Sequence, residues 1–142
     1  MKNMHILIDT NIIIDFLTAR KPFGRDAKQL FLLSKTGAFE LMVSDVTIFN
    51  TAFSLHKLHY TKAEIFDYLT ALLPLLTITT MGRSVIERSL QKRGKDFEDD
   101  AQYFSAVDAN VDFIITRNKK DFPKENFILE PKEFFDLMNI EY

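Results

Sequence analysis

The chain has 142 residues, 46% of them hydrophobic and 27% charged, with a formal net charge of −2 and no cysteine. That size and balance are those of one soluble globular domain over residues 1–142 that buries about two thirds of its unfolded surface, which excludes a disordered, fibrous or disulfide-stapled chain. The slight acidity argues against indiscriminate coating of nucleic acid, and the missing thiols exclude a thiolate metal site.

The opening MKNMHILIDTNIIIDFL is apolar but broken by Asp9 and Asp15, so it reads poorly as a signal peptide, and no run of 18 apolar residues follows. A cytoplasmic protein without a membrane partner is the expectation. HILI predicts a first strand, and NIIIDFLTA a short helix that KPFG punctuates before a second helix, RDAKQLFLLSK, ending at Gly37. FELMVS is a second strand. SDVTIFNTAFSLHKL is a helix capped by Ser44 or Asp45, and TKAEIFDYLTALL another, with Thr61 and Glu64 in a capping box. Pro74 stops that helix, LLTIT is a third strand, and MGRSVIERSLQKRG is helical up to Gly94. The acidic cluster KDFEDD opens the helix DAQYFSAVDANV. DFIITR is a fourth buried strand, NKKDFP a loop, NFIL a fifth strand, and PKEFFDLMN a terminal helix with Pro131 at its first position.

Strands alternating with helices predict an α/β layer architecture, a mostly parallel sheet covered on both faces. Such sheets bind ligands beyond the carboxyl ends of their strands. Asp9 closes the first strand and so points there; Asn118 and Asp121 lie just past the fourth, and Asp99 starts the helix leading into it. Converging carboxylates repel one another, and a divalent cation is the simplest compensation. Oxygen ligands with no Cys and few His select Mg²⁺ or Mn²⁺ over Zn²⁺, and a metal-held water suits attack on a phosphodiester. Each acid also has a plain structural reading: Asp9 before Thr10 and Asn11 as an Asx turn or N-cap, Asp99 and Asp100 as partners of a helix dipole, Asp121 as a solvated loop residue. Their joint placement at one sheet edge is what those separate readings do not account for.

ILIDTNIIIDFL, DFEDDAQYFSAV and FIITRNKKDF, in that order and spacing from Ile6 to about Phe122, resemble the best-marked segments of the PIN-domain family, and within it the VapC-like toxin ribonucleases. The resemblance implies a three-layer α/β/α sandwich with strand order 3-2-1-4-5, an acidic cluster binding Mg²⁺ or Mn²⁺, and endonucleolytic cleavage of single-stranded RNA. It further implies a small antitoxin partner and a homodimer. Asp9, Asp99 and Asp121 match the family's catalytic, metal-binding carboxylates, with Glu98 and Asp100 as alternatives to Asp99 in another helix register. Asn118 stands where many members carry Asp, and Thr116 and Asn11 would orient carboxylates or waters beside the cluster.

The clearest departure is Asn50, in SDVTIFN, where the family usually has Glu. A carboxamide can ligate a cation but brings no charge, so the expectation is weakened metal binding, and a PIN-like RNA- or protein-binding module without turnover is the alternative reading. A phosphatase using Asp9 as nucleophile needs a second Asp two residues on, where Asn11 stands. In the helix containing Asp99, periodicity defines an apolar face of Phe97, Ala101, Phe104, Val107 and Val111; the resemblance instead turns Asp99, Tyr103, Ala106 and Asn110 toward the site. The basic runs QKRGK and RNKK flank the acids, which makes Arg93, Lys95, Arg117 and Lys119 candidate RNA contacts, with solvated charge as the other reading. His5, His56 and His59 form no ligand grouping at recognisable spacing.

Overall fold

The computed structural model describes residues 3–142. Its centre is β1 (His5–Ile8), whose Ile6, Leu7 and Ile8 are all fully buried. With a two-residue side-chain period, Ile6 and Ile8 enter the core on one face and Leu7 the core on the other. A strand without a polar face fits only between two strands under helices on both sides. β2 (Glu40–Ser44) pairs with it on one side, Ile6 opposite Leu41, and β4 (Phe113–Ile115) on the other, Ile8 opposite Ile115. The short β3 (Thr77–Thr79) and β5 (Ile128–Leu129) complete an all-parallel sheet in the order β3-β2-β1-β4-β5.

The larger core lies under α1 (Thr10–Thr18), α2 (Gly24–Lys35) and α7 (Pro131–Leu137), where Ile12, Ile13, Leu30, Phe31, Phe134 and Phe135 meet Ile6, Ile8 and Val43. A smaller cluster joins α1 to α3 (Asp45–Lys57) and α4 (Lys62–Leu72) through Ile14, Leu55 and Ile65. The opposite face carries α5 (Gly82–Lys92) and α6 (Phe97–Asp108); Ala106 packs with Leu7 and Ile114, and Ala101 with Met81 and Val85. No helix among the described residues is long and apolar enough to cross a membrane.

Most of the predicted elements form, with differences at their ends. The third strand starts later than LLTIT implies because Pro74 lies within a single 3-10 turn over Leu73–Leu75. Arg93, not Gly94, takes the left-handed conformation (φ 51) that ends α5. In α6 periodicity misleads: Phe97 and Val107 are 51% and 42% exposed, whereas Asp99 and Ala106 are buried. The small Ala106 lets the helix settle on Leu7 and Ile114 and carries Asp99 inward with it.

Phe134 is the keystone of the larger core, fully buried with its ring edge-on to Phe39 at 5.5 Å and to Phe113 at 5.6 Å. Phe134→Ala should cost about 3–5 kcal/mol, read as a lowered urea midpoint at unchanged slope.

Candidate active site

The apolar run of β1 ends in a charge because the chain turns there. Asp9 is extended (φ −79, ψ 161) and caps α1, its Oδ1 accepting the Thr10 amide at 2.8 Å. Capping occupies one oxygen. The other, Oδ2, accepts from Thr116 Oγ1 at 2.8 Å and Asn11 Nδ2 at 3.2 Å. Asn11 also reaches across the sheet edge, its Oδ1 accepting the Arg117 amide at 3.3 Å, while Thr116 Oγ1 accepts the Asn118 amide at 3.0 Å. The carboxylate of Asp9, 6% exposed, is therefore fixed by neutral donors from β1's end and β4's end. Burial pushes its pKa up, against the pull of Thr116 and Thr10.

On the facing side, Asp96 caps α6, its Oδ1 accepting the Asp99 amide at 3.0 Å. Successive residues of a helix point roughly 100° apart, so the first-turn acids diverge. Glu98 and Asp99 line an open cleft of about 440 Å³ together with Asp9, Asp96, Asn118 and Asp121. Asp100 turns away, 2% exposed, and its Oδ1 accepts Lys92 Nζ at 2.7 Å. Of the two alternatives to Asp99, only Glu98 reaches the cleft.

One carboxylate oxygen from each of Asp96, Asp99 and Asp121 lies within 4.8 Å of the others. Asp9 shares the cleft but stands outside that trio. Burial, and then the charges of Asp9, Asp96, Glu98 and Asp121, push Asp99 up to about 8. Glu98 is raised by burial, then by Asp9 and Asp96, against the hydrogen bond from Asn50. Among the described residues no ion pair involves Asp9, Asp96, Asp99 or Asp121. The donors are all hard oxygens with excess negative charge and no imidazole, a set that fits Mg²⁺ or Mn²⁺. Asn50, on α3, points at the start of α6, and its Nδ2 donates to Glu98 Oε1 at 2.8 Å.

Beneath the cleft a buried polar cluster seats α3. Ser44 Oγ accepts the Thr47 amide at 3.2 Å, and Gln102 Nε2 donates to Thr47 Oγ1 at 2.9 Å, tying the end of β2 and the start of α3 to α6. The three histidines play no part here: His5 pairs with Glu40 at 3.3 Å at the far end of β1, and neither His56 nor His59 lines the cleft.

The candidate RNA contacts divide. Arg117 is committed elsewhere: its Nε and Nη2 donate to the two oxygens of fully buried Asp15 at 2.6 and 3.1 Å, and its guanidinium stacks 3.8 Å from the Phe23 ring centroid. Arg93 lines a separate hollow with Leu90 and Phe97. Lys119 is paired with Glu133. Lys95 lines a groove of about 990 Å³ that shares Arg117, Asn118 and Asp121 with the acidic cleft and is edged further by Lys120 and Lys124. None of Lys95, Lys120 and Lys124 makes an ion pair among the described residues.

Sequence reasoning missed Asp96, which an N-cap reading of D-x-x-D would have found, and Arg20 and Lys57, which border the cleft from α1's end and α3. It also passed over Asp15, whose position in the apolar stretch IIIDFL implied a buried cation partner.

A parallel five-strand sheet between helical layers, with an acidic cleft at its carboxyl edge, defines an α/β/α protein whose candidate site is a cluster of carboxylates. Residues 5–120 match the PIN domain family model, and the chain belongs to that family. It is 23% identical to Ribonuclease VapC1 of Aquifex aeolicus (strain VF5) over 144 residues, covering 98% of this chain and 99% of that protein. A toxin-antitoxin complex from Klebsiella pneumoniae is 26% identical, with a TM-score of 0.68 over 89% of this chain and 97% of its counterpart. The crystal structure of VapC20 from Mycobacterium tuberculosis, a sarcin-ricin loop cleaving toxin, is 13% identical with a TM-score of 0.62, covering 86% and 92%, and shares the fold.

Two outcomes follow from this geometry. A carboxyl raised from 3.8 to about 8 contributes stability that is full below its unfolded pKa and lost as pH rises through the folded one. In EDTA, Asp99→Asn should therefore melt close to wild type at pH 5 and increasingly above it toward pH 9; a gap that stays constant would contradict the crowding of charge. Arg117→Ala leaves buried Asp15 with only the longer contact to Arg20 Nε at 3.9 Å and should cost about 3 kcal/mol by chemical denaturation, while Lys120→Ala stays within about 0.5 kcal/mol of wild type.

Proposed function

We propose that this chain is a Mg²⁺- or Mn²⁺-dependent endoribonuclease that cuts single-stranded RNA in the cytoplasm as the toxin of a toxin-antitoxin pair. The observation that carries the reading is the meeting of Asp9, Asp96, Asp99 and Asp121 in one cleft that opens beside a groove edged by Lys95, Lys120 and Lys124. The similarity to a VapC ribonuclease along nearly the whole chain supports the reaction class, and that to a toxin-antitoxin complex supports the antitoxin. Phe49, Phe53 and Phe66 on α3 and α4 are 75%, 63% and 58% exposed, apolar surface of the kind a protein partner covers, and a homodimer belongs to the same reading.

Asp96, Asp99 and Asp121 would hold the cation, which when bound acidifies a water and offsets phosphate charge. Asp99 would hold the cation as a carboxylate, so its proton and the cation would compete for the same oxygens. Asp9, locked by Thr116 and Asn11, keeps a fixed oxygen on the opposite wall to orient the attacking water. Lys95, Lys120 and Lys124 bind the backbone on one side of the cut and Arg20 and Lys57 on the other. Single-stranded substrate is what the family resemblance implies, and the burial of Asp9 and Asp99, 6% and 9% exposed, supports it, since a splayed strand can lower a phosphate to them more readily than a rigid duplex.

The test is cleavage of a mixed RNA pool. Wild type should cut with Mn²⁺ and stop with chelator; Asp9→Asn, folded by circular dichroism, should lose at least about a thousandfold in rate, and the Lys95, Lys120 and Lys124 triple alanine variant should mainly raise KM and flatten the salt dependence. RNA binding without cleavage or Mn²⁺ uptake would instead establish the binding module that Asn50 and Asn118 suggest.

A further inference from the structure

Asn50 stands where the family resemblance implies a glutamate, and the structure shows what faces it. Asn50 is not idle helix surface: its Nδ2 donates to Glu98 Oε1 at 2.8 Å, a link between residues 48 positions apart that ties α3 to the first turn of α6. Glu98 in turn lines the acidic cleft with Asp9, Asp96, Asp99 and Asp121. A glutamate at 50 would set two carboxylates against each other at this contact, whereas a carboxamide presents a donor to one. The arrangement makes sense as a relocation of charge: the cleft keeps its carboxylate, carried by α6 instead of α3, and the amide left on α3 aims it.

We propose that Glu98 supplies the carboxylate that position 50 lacks, either on the cation or on its water shell, and that Asn50 is its positioning residue. The inference rests on the metal-dependent reading of the cleft and adds that the change at 50 is compensated within the chain. Oε1 of Glu98 is engaged by Asn50 while the residue lines the cleft beside, and outside, the trio of Asp96, Asp99 and Asp121, a placement suited to a ligand-orienting contact.

The chemistry of the pair supplies a test that separates this role from a simple staple between helices. Glu98→Gln keeps an oxygen that still accepts from Asn50, but removes the charge. Mn²⁺ titration calorimetry in the absence of RNA, with melting of the metal-free protein measured in parallel, reads both. Glu98→Gln should weaken Mn²⁺ binding about tenfold or more while leaving the metal-free melting temperature equal to or above wild type, since a like charge has been withdrawn. Asn50→Ala should weaken Mn²⁺ less and lower the melting temperature. The exchanged variant N50E/E98Q, which returns the carboxylate to α3 and places the amide donor on α6, should recover most of the lost affinity.

Glu98→Gln binding Mn²⁺ as wild type does, with only Asn50→Ala melting early, would reduce the contact to a staple and overturn the inference while the metal-dependent reading stood. An exchanged variant no better than Glu98→Gln alone would also overturn it, because the charge would then not be what matters. Absence of Mn²⁺ uptake by wild type would bring down both.

Discussion

Mutual repulsion of carboxylates is the constraint around which this molecule is organised. Two unit charges 4.8 Å apart repel by roughly 3 kcal/mol at an effective dielectric constant near 20, and Asp99 faces Asp96 and Asp121 within that distance, with Asp9 and Glu98 close by. Set against ordinary stabilities of about 5–15 kcal/mol, full ionisation of the cluster would consume a large part of the margin. The metal-free protein avoids this by keeping a proton on Asp99 through neutral pH, and the rest of the fold must hold the others in place despite the repulsion. In the proposed metal-bound form, a cation displacing that proton would turn the same crowding into affinity.

What holds them is ordinary secondary-structure chemistry used twice. Asp9 caps α1 with one oxygen and presents the other to Thr116 and Asn11; Asp96 caps α6 and thereby sets the rotation that turns Asp99 into the cleft and the buried Asp100 away from it toward Lys92. Capping and function are thus not competing explanations for these aspartates. An N-cap needs an acceptor at a helix start, the parallel sheet places helix starts at its carboxyl edge, and the helix dipole there favours negative charge. The acids sit where the backbone best tolerates them.

Legibility in the sequence followed the range of the interactions. The strands of the sheet and the capping box of Thr61 and Glu64 are local patterns, and they appear where the residues predict them. The strand-end logic brought Asp9, Asp99 and Asp121 to one cleft without any pairwise information. Periodicity failed in α6 because amphipathic counting rewards large apolar residues, while the packing rewards a small one: Ala106 lets the helix approach the sheet, and Phe97 and Val107 are left outside. The fates of Arg117 and Asn50 were illegible for a different reason. Their partners, Asp15 and Glu98, lie 102 and 48 residues away, and no local rule pairs residues across such distances.

Arg117 and Lys120 also show why basic residues in one run need not share a task. The guanidinium of Arg117 matches both oxygens of Asp15 at once and stacks on Phe23, so it can hold a fully buried charge with little loss of freedom per bond made. A lysine there would satisfy one oxygen and leave the other to the longer contact with Arg20 at 3.9 Å. The neighbouring Lys120, with a compact and strongly hydrated ammonium, gains little from such burial and remains at the groove's edge. Because Arg117 is anchored, the backbone at its own amide stays against Asn11, and Asn11 stays against Asp9. Arg117 therefore serves the cleft twice, by lining it with a charge that draws the Asp9 pKa down and by keeping the end of β4 in register with the end of β1.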